Sequence, residues 1–142
     1  MICLLTVNDN VMARDNVLTD LDSLRWQNRV ILVFAREPQA SRAVANLEEF
    51  AAGIEERDIV WFVLDDVGLR GNYDGALGES MREGIMDRYF TPAPTDPCVL
   101  LIGKDGGVKS RTSDLDLEAT FGLIDQMPMR RQEMRRQRDG SE

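Results

Sequence analysis

Two cysteines and one strand-to-helix turn are the places where this sequence could do chemistry. Cys3 and Cys98 are the only thiols, and histidine is absent. A thiol attacks disulfides and peroxides as its thiolate, which at neutral pH needs a cation, a helix N-terminus or an imidazole beside it. Without histidine, Ser-His pairs, imidazole general bases and His-ligated metal centres are excluded. Two cysteines are too few for a secreted disulfide scaffold or a thiolate zinc site. Cys3, close to the terminus, is not expected to pair with Cys98.

The turn lies in VILVFAREPQASR, residues 30–42. An apolar run from Val30 to Ala35 breaks into Arg36-Glu37-Pro38-Gln39-Ala40, and a helical pattern starts at about Ser41. Turns at the carboxyl ends of strands are common ligand sites in α/β proteins. This one holds no cysteine, histidine or glycine cradle. Asp65, Asp66, Asp74, Asp114 and Asp116 lack the spacing of a calcium loop and read as helix caps and surface charge. GLRGNYDG, residues 68–75, lacks a nucleotide-binding spacing and reads as a surface loop. Neither a metal nor a cofactor is expected.

The elements that must position these residues follow from periodicity. Arg29–Ala35 is the first strand. Ala43, Val44, Leu47, Phe50, Ala51 and Ile54 recur at helical spacing and predict one amphipathic helix. Ile59–Leu64 is a near-continuous apolar run, as in a strand covered on both faces. Leu77, Met81, Ile85 and Tyr89 step by four and predict a second helix with a Met-containing stripe. TPAPTDP, residues 91–97, is a proline-punctuated loop leading to a third strand, Cys98–Ile102. Asp105-Gly106 predicts a tight hairpin with positive φ at both central residues, returning through Val108–Arg111. Ser113 is the expected cap of a helix starting at Asp114, with Leu117, Phe121 and Ile124 as its buried stripe. Before the first strand, Leu18, Leu21 and Leu24 predict a short helical turn. Trp26 is expected to pack as a lid on the core.

A chain of 142 residues, 43% hydrophobic and 30% charged, suits one globular domain. We divide it into an irregular lead-in (1–17), a body (18–127) and an Arg-rich C-terminal tail (128–142). The net charge of −8 splits into −10 over residues 1–127 and +2 over residues 128–142. An acidic body lacks the basic footprint that nucleic acid requires, so no nucleic-acid partner is expected. The opening apolar run is too short for a signal peptide, and no stretch approaches the roughly 20 apolar residues of a membrane span. The expectation is a cytoplasmic protein, with a periplasmic or secreted setting if the true start lies upstream.

The order β-α-β-α-β-β-α, with Pro97 directly before Cys98–Ile102 and then Lys104-Asp105-Gly106-Gly107-Val108, resembles the thioredoxin fold. That is an α/β fold with a mixed central sheet, here of about four strands, flanked by helices. More narrowly, Arg25-Trp26-Gln27-Asn28-Arg29, LLIGKDGGVKSR and Met127-Pro128-Met129-Arg130-Arg131-Gln132-Glu133-Met134 resemble a bacterial family known as domain of unknown function 4174. That family is similar to the peroxiredoxin-like DUDES domains of vertebrate extracellular proteins. The resemblance covers roughly residues 18–135 and implies a fold without an established activity.

The thioredoxin pattern places the Cys-x-x-Cys motif on Pro38-Gln39-Ala40-Ser41, where both cysteines are missing. A dithiol cycle needs an attacking thiolate and a resolving thiol, so ordinary thioredoxin chemistry is not expected. The resemblance makes Pro97 a cis-proline shaping a binding edge; taken as one residue of a proline-rich loop, it is an ordinary trans proline. Asp96 departs from the residue thioredoxins carry before that proline. The reading is a redox-inactive module that binds a protein or peptide through Arg36, Pro38, Ser41, Asp96 and Pro97. The alternative is a one-cysteine oxidoreductase or peroxidase centred on Cys98, near the Pro38–Ser41 loop, with Arg36, Arg42 or a helix N-terminus to activate it. Against that, free Cys is among the most buried residue types, and Cys98 also reads as a small hydrophobe. The tail has two readings: a helix that docks its Met side on the domain and pairs its Arg side with the acidic body, or an arm for an anionic partner or a second subunit.

Overall fold

The computed structural model describes residues 17–140. The lead-in up to residue 16, with Cys3, lies outside the described residues. The strands are Arg29–Phe34 (β1), Ile59–Leu64 (β2), Leu69–Gly71 (β3), Cys98–Ile102 (β4) and Val108–Thr112 (β5). The helices are Gln39–Glu49 (α1), Ala51–Glu56 (α2), Met81–Tyr89 (α3), Leu117–Asp125 (α4) and Pro128–Gly140 (α5), with a 3-10 turn at Leu21–Leu24.

The continuous apolar runs become the middle of the sheet because only there are both faces covered. β1 lies parallel to β2 and antiparallel to β4, and every residue of these three strands is buried. The full order is β3-β2-β1-β4-β5. Strand alternation sorts the side chains into two cores. Val30, Leu32 and Phe34 meet Phe62, Leu100 and Cys98 beneath Met81 and Ile85 of α3, with Leu18 and Leu24 closing one end. Ile31, Val33 and Ala35 meet Trp61, Val63 and Val99 beneath Leu47, Ile54, Leu117 and Ile124 of α1, α2 and α4.

Several expectations are corrected. The sheet has five strands rather than about four, because Leu69–Gly71 pairs antiparallel with Phe62–Leu64 inside the expected surface loop. The single amphipathic helix is two: Phe50 leaves the helical conformation (φ −97°, ψ 24°) and its ring packs edge-on against Phe121, 6.0 Å between centroids. Trp26 is no lid. It is 63% exposed at a left-handed φ of 70°, its N–H donates to Lys104 O, and Leu24 fills the core position instead. Asp116, not Ser113, caps α4, accepting from Ala119 N at 3.0 Å, so the helix starts at Leu117. In the hairpin only Gly106 takes positive φ; Asp105 instead turns its carboxylate to Gly107 N.

The Arg-rich tail is helix α5, with Pro128 at its first position, where a missing N–H costs nothing. It docks through charge more than through methionine, since Met127 and Met134 are only half-buried and Met129 is exposed. Arg130, 1% exposed, donates to Asp125 Oδ1 and Glu56 Oε1, each at 3.1 Å. Glu133 accepts both guanidinium nitrogens of Arg29 (3.1 and 3.2 Å) and Lys104 Nζ (2.8 Å). Lys104 also pairs with Asp58 at 3.0 Å. Four elements thereby meet at the end of the sheet where β1 begins.

Candidate functional site

At the other end, β1 runs out at Phe34 and the chain turns into α1. Arg36 braces this end: Nε pairs with Asp66 at 3.1 Å, and a terminal nitrogen donates to Pro94 O at 3.0 Å. It thus ties the end of β1 to the end of β2 and to the 91–97 loop. Pro38 is the N-cap residue of α1 and supplies no side-chain cap. Glu37 takes over part of that task. It accepts from the Ser41 hydroxyl one turn on and pairs with Arg70 of β3 at 3.3 Å. The Ser41 bond above all holds its carboxyl below the ordinary value, burial opposes it, and Arg70 adds to the lowering.

On the far side of α1 a groove of about 210 Å³ opens between Gln39, Arg42 and Asn46 on the helix and Pro97 and Asp114 opposite. Its floor is apolar, from Ala35 and Val99. Arg42 and Asp114 put one charge of each sign in its lining. Such a lining suits a small apolar side chain flanked by polar groups.

The structure therefore divides the expected surface. Arg36, Pro38 and Ser41 belong to the brace at the start of α1, and Pro97 to the groove. Asp96 is exposed and makes no hydrogen bond or ion pair among the described residues. The cis bonds precede Pro38 and Pro92; the Asp96–Pro97 bond is trans, against the cis-proline the resemblance implied. Glu37 and Arg70 were missed, Arg42 was considered only as an activator of Cys98, and Asp66 and Asp114 were read as caps or surface charge. Arg70 gave no signal because β3 was not foreseen, whereas Glu37 and Ser41, four apart, are at a spacing that brings side chains together on a helix.

Cys98 does not join the Pro38–Ser41 loop. It sits opposite Phe34 in the β1–β4 ladder and points into the α3 core, while Ala35, Ala40 and Val99 line the α1 side. Its thiol is free and 7% exposed, and Arg111, rather than Arg36 or Arg42, donates to it at 3.2 Å. Among the described residues no three His, Cys, Asp or Glu side chains gather as metal ligands would.

The model of the domain of unknown function DUF4174 matches residues 20–133, most of the chain and all five strands. The chain belongs to this family. The match includes Glu133, so the first part of α5 is part of the family's own domain. A comparison with curated proteins found no match. Among solved structures, the mitochondrial 2-Cys peroxiredoxin of Plasmodium falciparum matches at 15% identity and TM-score 0.50, over 74% of this chain and 78% of that one. The reduced 2-Cys peroxiredoxin of Plasmodium vivax matches at 17% identity and TM-score 0.49, over 74% and 80%. A secreted Mycobacterium tuberculosis disulfide oxidoreductase homologous to E. coli DsbE matches at 14% and 0.49, over 75% and 86%. At such identities the likeness is one of fold. This DUF4174 domain is thioredoxin-like, and no helix among its described residues is long and apolar enough to cross a membrane.

Proposed function

We propose that this domain is a redox-inactive binding module that takes a protein or peptide side chain in the groove between α1 and Pro97–Asp114. Arg36 and Ser41 hold the start of α1 in place, and Pro38 and Asp96 flank the same surface. The observation that carries this reading is the separation of thiol from loop. Pro38–Ser41 holds no cysteine, and Cys98 is buried on the opposite face of the sheet. A free buried thiol also agrees with a cytoplasmic setting, where fold-supporting disulfides are rare.

The test is selection of peptides from a random library on the wild-type protein. Binders are expected to carry one small apolar side chain beside a charge. Arg42→Glu is expected to weaken them about tenfold, in keeping with the loss of a single charged contact, and Cys98→Ser to leave them unchanged. Neither disulfide reduction nor peroxide turnover is expected. A second reading, a one-cysteine thiol enzyme, is favoured by the Arg111 contact at Cys98 Sγ, because an adjacent cation is how reactive thiols are activated. Peroxide-dependent turnover that disappears in Cys98→Ser would establish it and overturn the first.

A further inference from the structure

A concavity of about 1080 Å³ lies where β2 begins, between α1–α2 and the 71–75 segment. Among the described residues its lining contains Glu48, Glu55, Asp58 and Asp74 and no basic residue. Asp58 is paired with Lys104, but Glu48, Glu55 and Asp74 make no ion pair among the described residues. Ala51 and Tyr73 add apolar surface beside the buried Ile54 and Trp61.

The same chain carries the opposite pattern on α5. Arg131 and Arg135 are exposed, lie one helical turn apart and have no ion-pair partner among the described residues. Met134, half-buried, lies beside them. Arginine stems are apolar and their heads cationic, so this face suits an acidic rim with apolar surface beneath. The helix cannot serve its own groove, because Arg130 and Glu133 pin it to Glu56, Asp125, Arg29 and Lys104 with Arg131 and Arg135 facing solvent. The groove also excludes an added strand. The Asn72 side chain already accepts from Trp61 N at 2.7 Å and donates to Ile59 O at 3.2 Å, blocking the edge of β2.

We propose that this acidic groove receives the Arg131–Arg135 face of the C-terminal helix of a second copy of the chain. The contact is helix into groove, between two different surfaces of one molecule. It stands apart from the ligand groove at Pro97.

The experiment measures the mass of the full chain by light scattering, at low salt and at about 0.5 M salt, where exposed ion pairs are screened. The expected result is a mass of at least a dimer at low salt that falls to the monomer at high salt. Glu48→Lys with Glu55→Lys, and Arg131→Glu with Arg135→Glu, are each expected to be monomeric alone. An equimolar mixture of the two should recover the larger mass, since helix and groove have exchanged charge in complementary fashion. Far-UV circular dichroism checks that each variant folds. If a charge-reversed pair does not, the corresponding Gln pair replaces it, with reduced association expected. A wild-type monomer at low salt, a mass insensitive to salt, wild-type association in either variant, or a mixture that stays monomeric would overturn the proposal.

Discussion

Glu133 accepts from Arg29 and Lys104, and both cations are almost sealed from water. Burial pushes its carboxyl up, but the hydrogen bonds from Arg29 and Lys104 outweigh that and hold it below its ordinary value of 4.5. Asp125 is likewise held below 3.8, first by Arg57 and then by Arg130, against burial. Removing one member of a buried pair leaves the other charge unpaired, so Glu133→Gln is expected to cost about 3–5 kcal/mol, read from the urea midpoint. Because both carboxyls are lowered on folding, their contribution is complete above the unfolded values and is lost as pH falls through the folded ones. Wild-type stability should therefore drop below about pH 4, and Glu133→Gln should show a shallower drop. The missing Cys-x-x-Cys was legible in the sequence because it depends on residue identity alone. The orientation of Cys98 was not. Period-two alternation puts Cys98, Leu100 and Ile102 on one face, but with every β4 position apolar it does not say which.

Among the elements, β1, β2 and β4 were legible because they are unbroken apolar runs, whereas β3 has only three residues and ends in a glycine. That glycine is required by close packing. A Cβ at Gly71 would lie 2.6 Å from Phe62 Cδ1 and 2.7 Å from Trp61 O, and the backbone oxygen cannot rotate away. Gly71→Ala is expected to cost about 1–3 kcal/mol, the usual range for overpacking, with the urea m-value unchanged. The break between α1 and α2 was illegible for a related reason. Phe50 is no helix breaker, and its departure reflects a tertiary partner, Phe121 of α4. The helical docking of α5 was one of two open readings. That reading included ion pairs between its arginines and the acidic body, but not the burial of Arg130 or the part played by Glu133, because a charge reads as buried only once its partners, far away in sequence, are known.

At the scale of the molecule, the groove beside Pro97 and the charge cluster occupy opposite ends of β1, six residues or about 20 Å apart. The amino acid order alone implied that the body and tail carry opposite charge. It did not show that the basic face and the acidic groove are separate surfaces, because that depends on which way the docked helix turns its arginines.

The outward placement of Trp26 gives the protein two reporters of opposite kind. Trp61 is 5% exposed and Trp26 63% exposed. Native fluorescence should resolve into a blue component that iodide cannot reach and a red component that it quenches, with Trp26→Phe removing only the second. Since the Trp26 backbone is bonded to Lys104, whose ammonium grips Glu133, acid release of α5 should alter the red component first. A spectrum that moves in one step at both wavelengths would mean that the clasp and the core melt together.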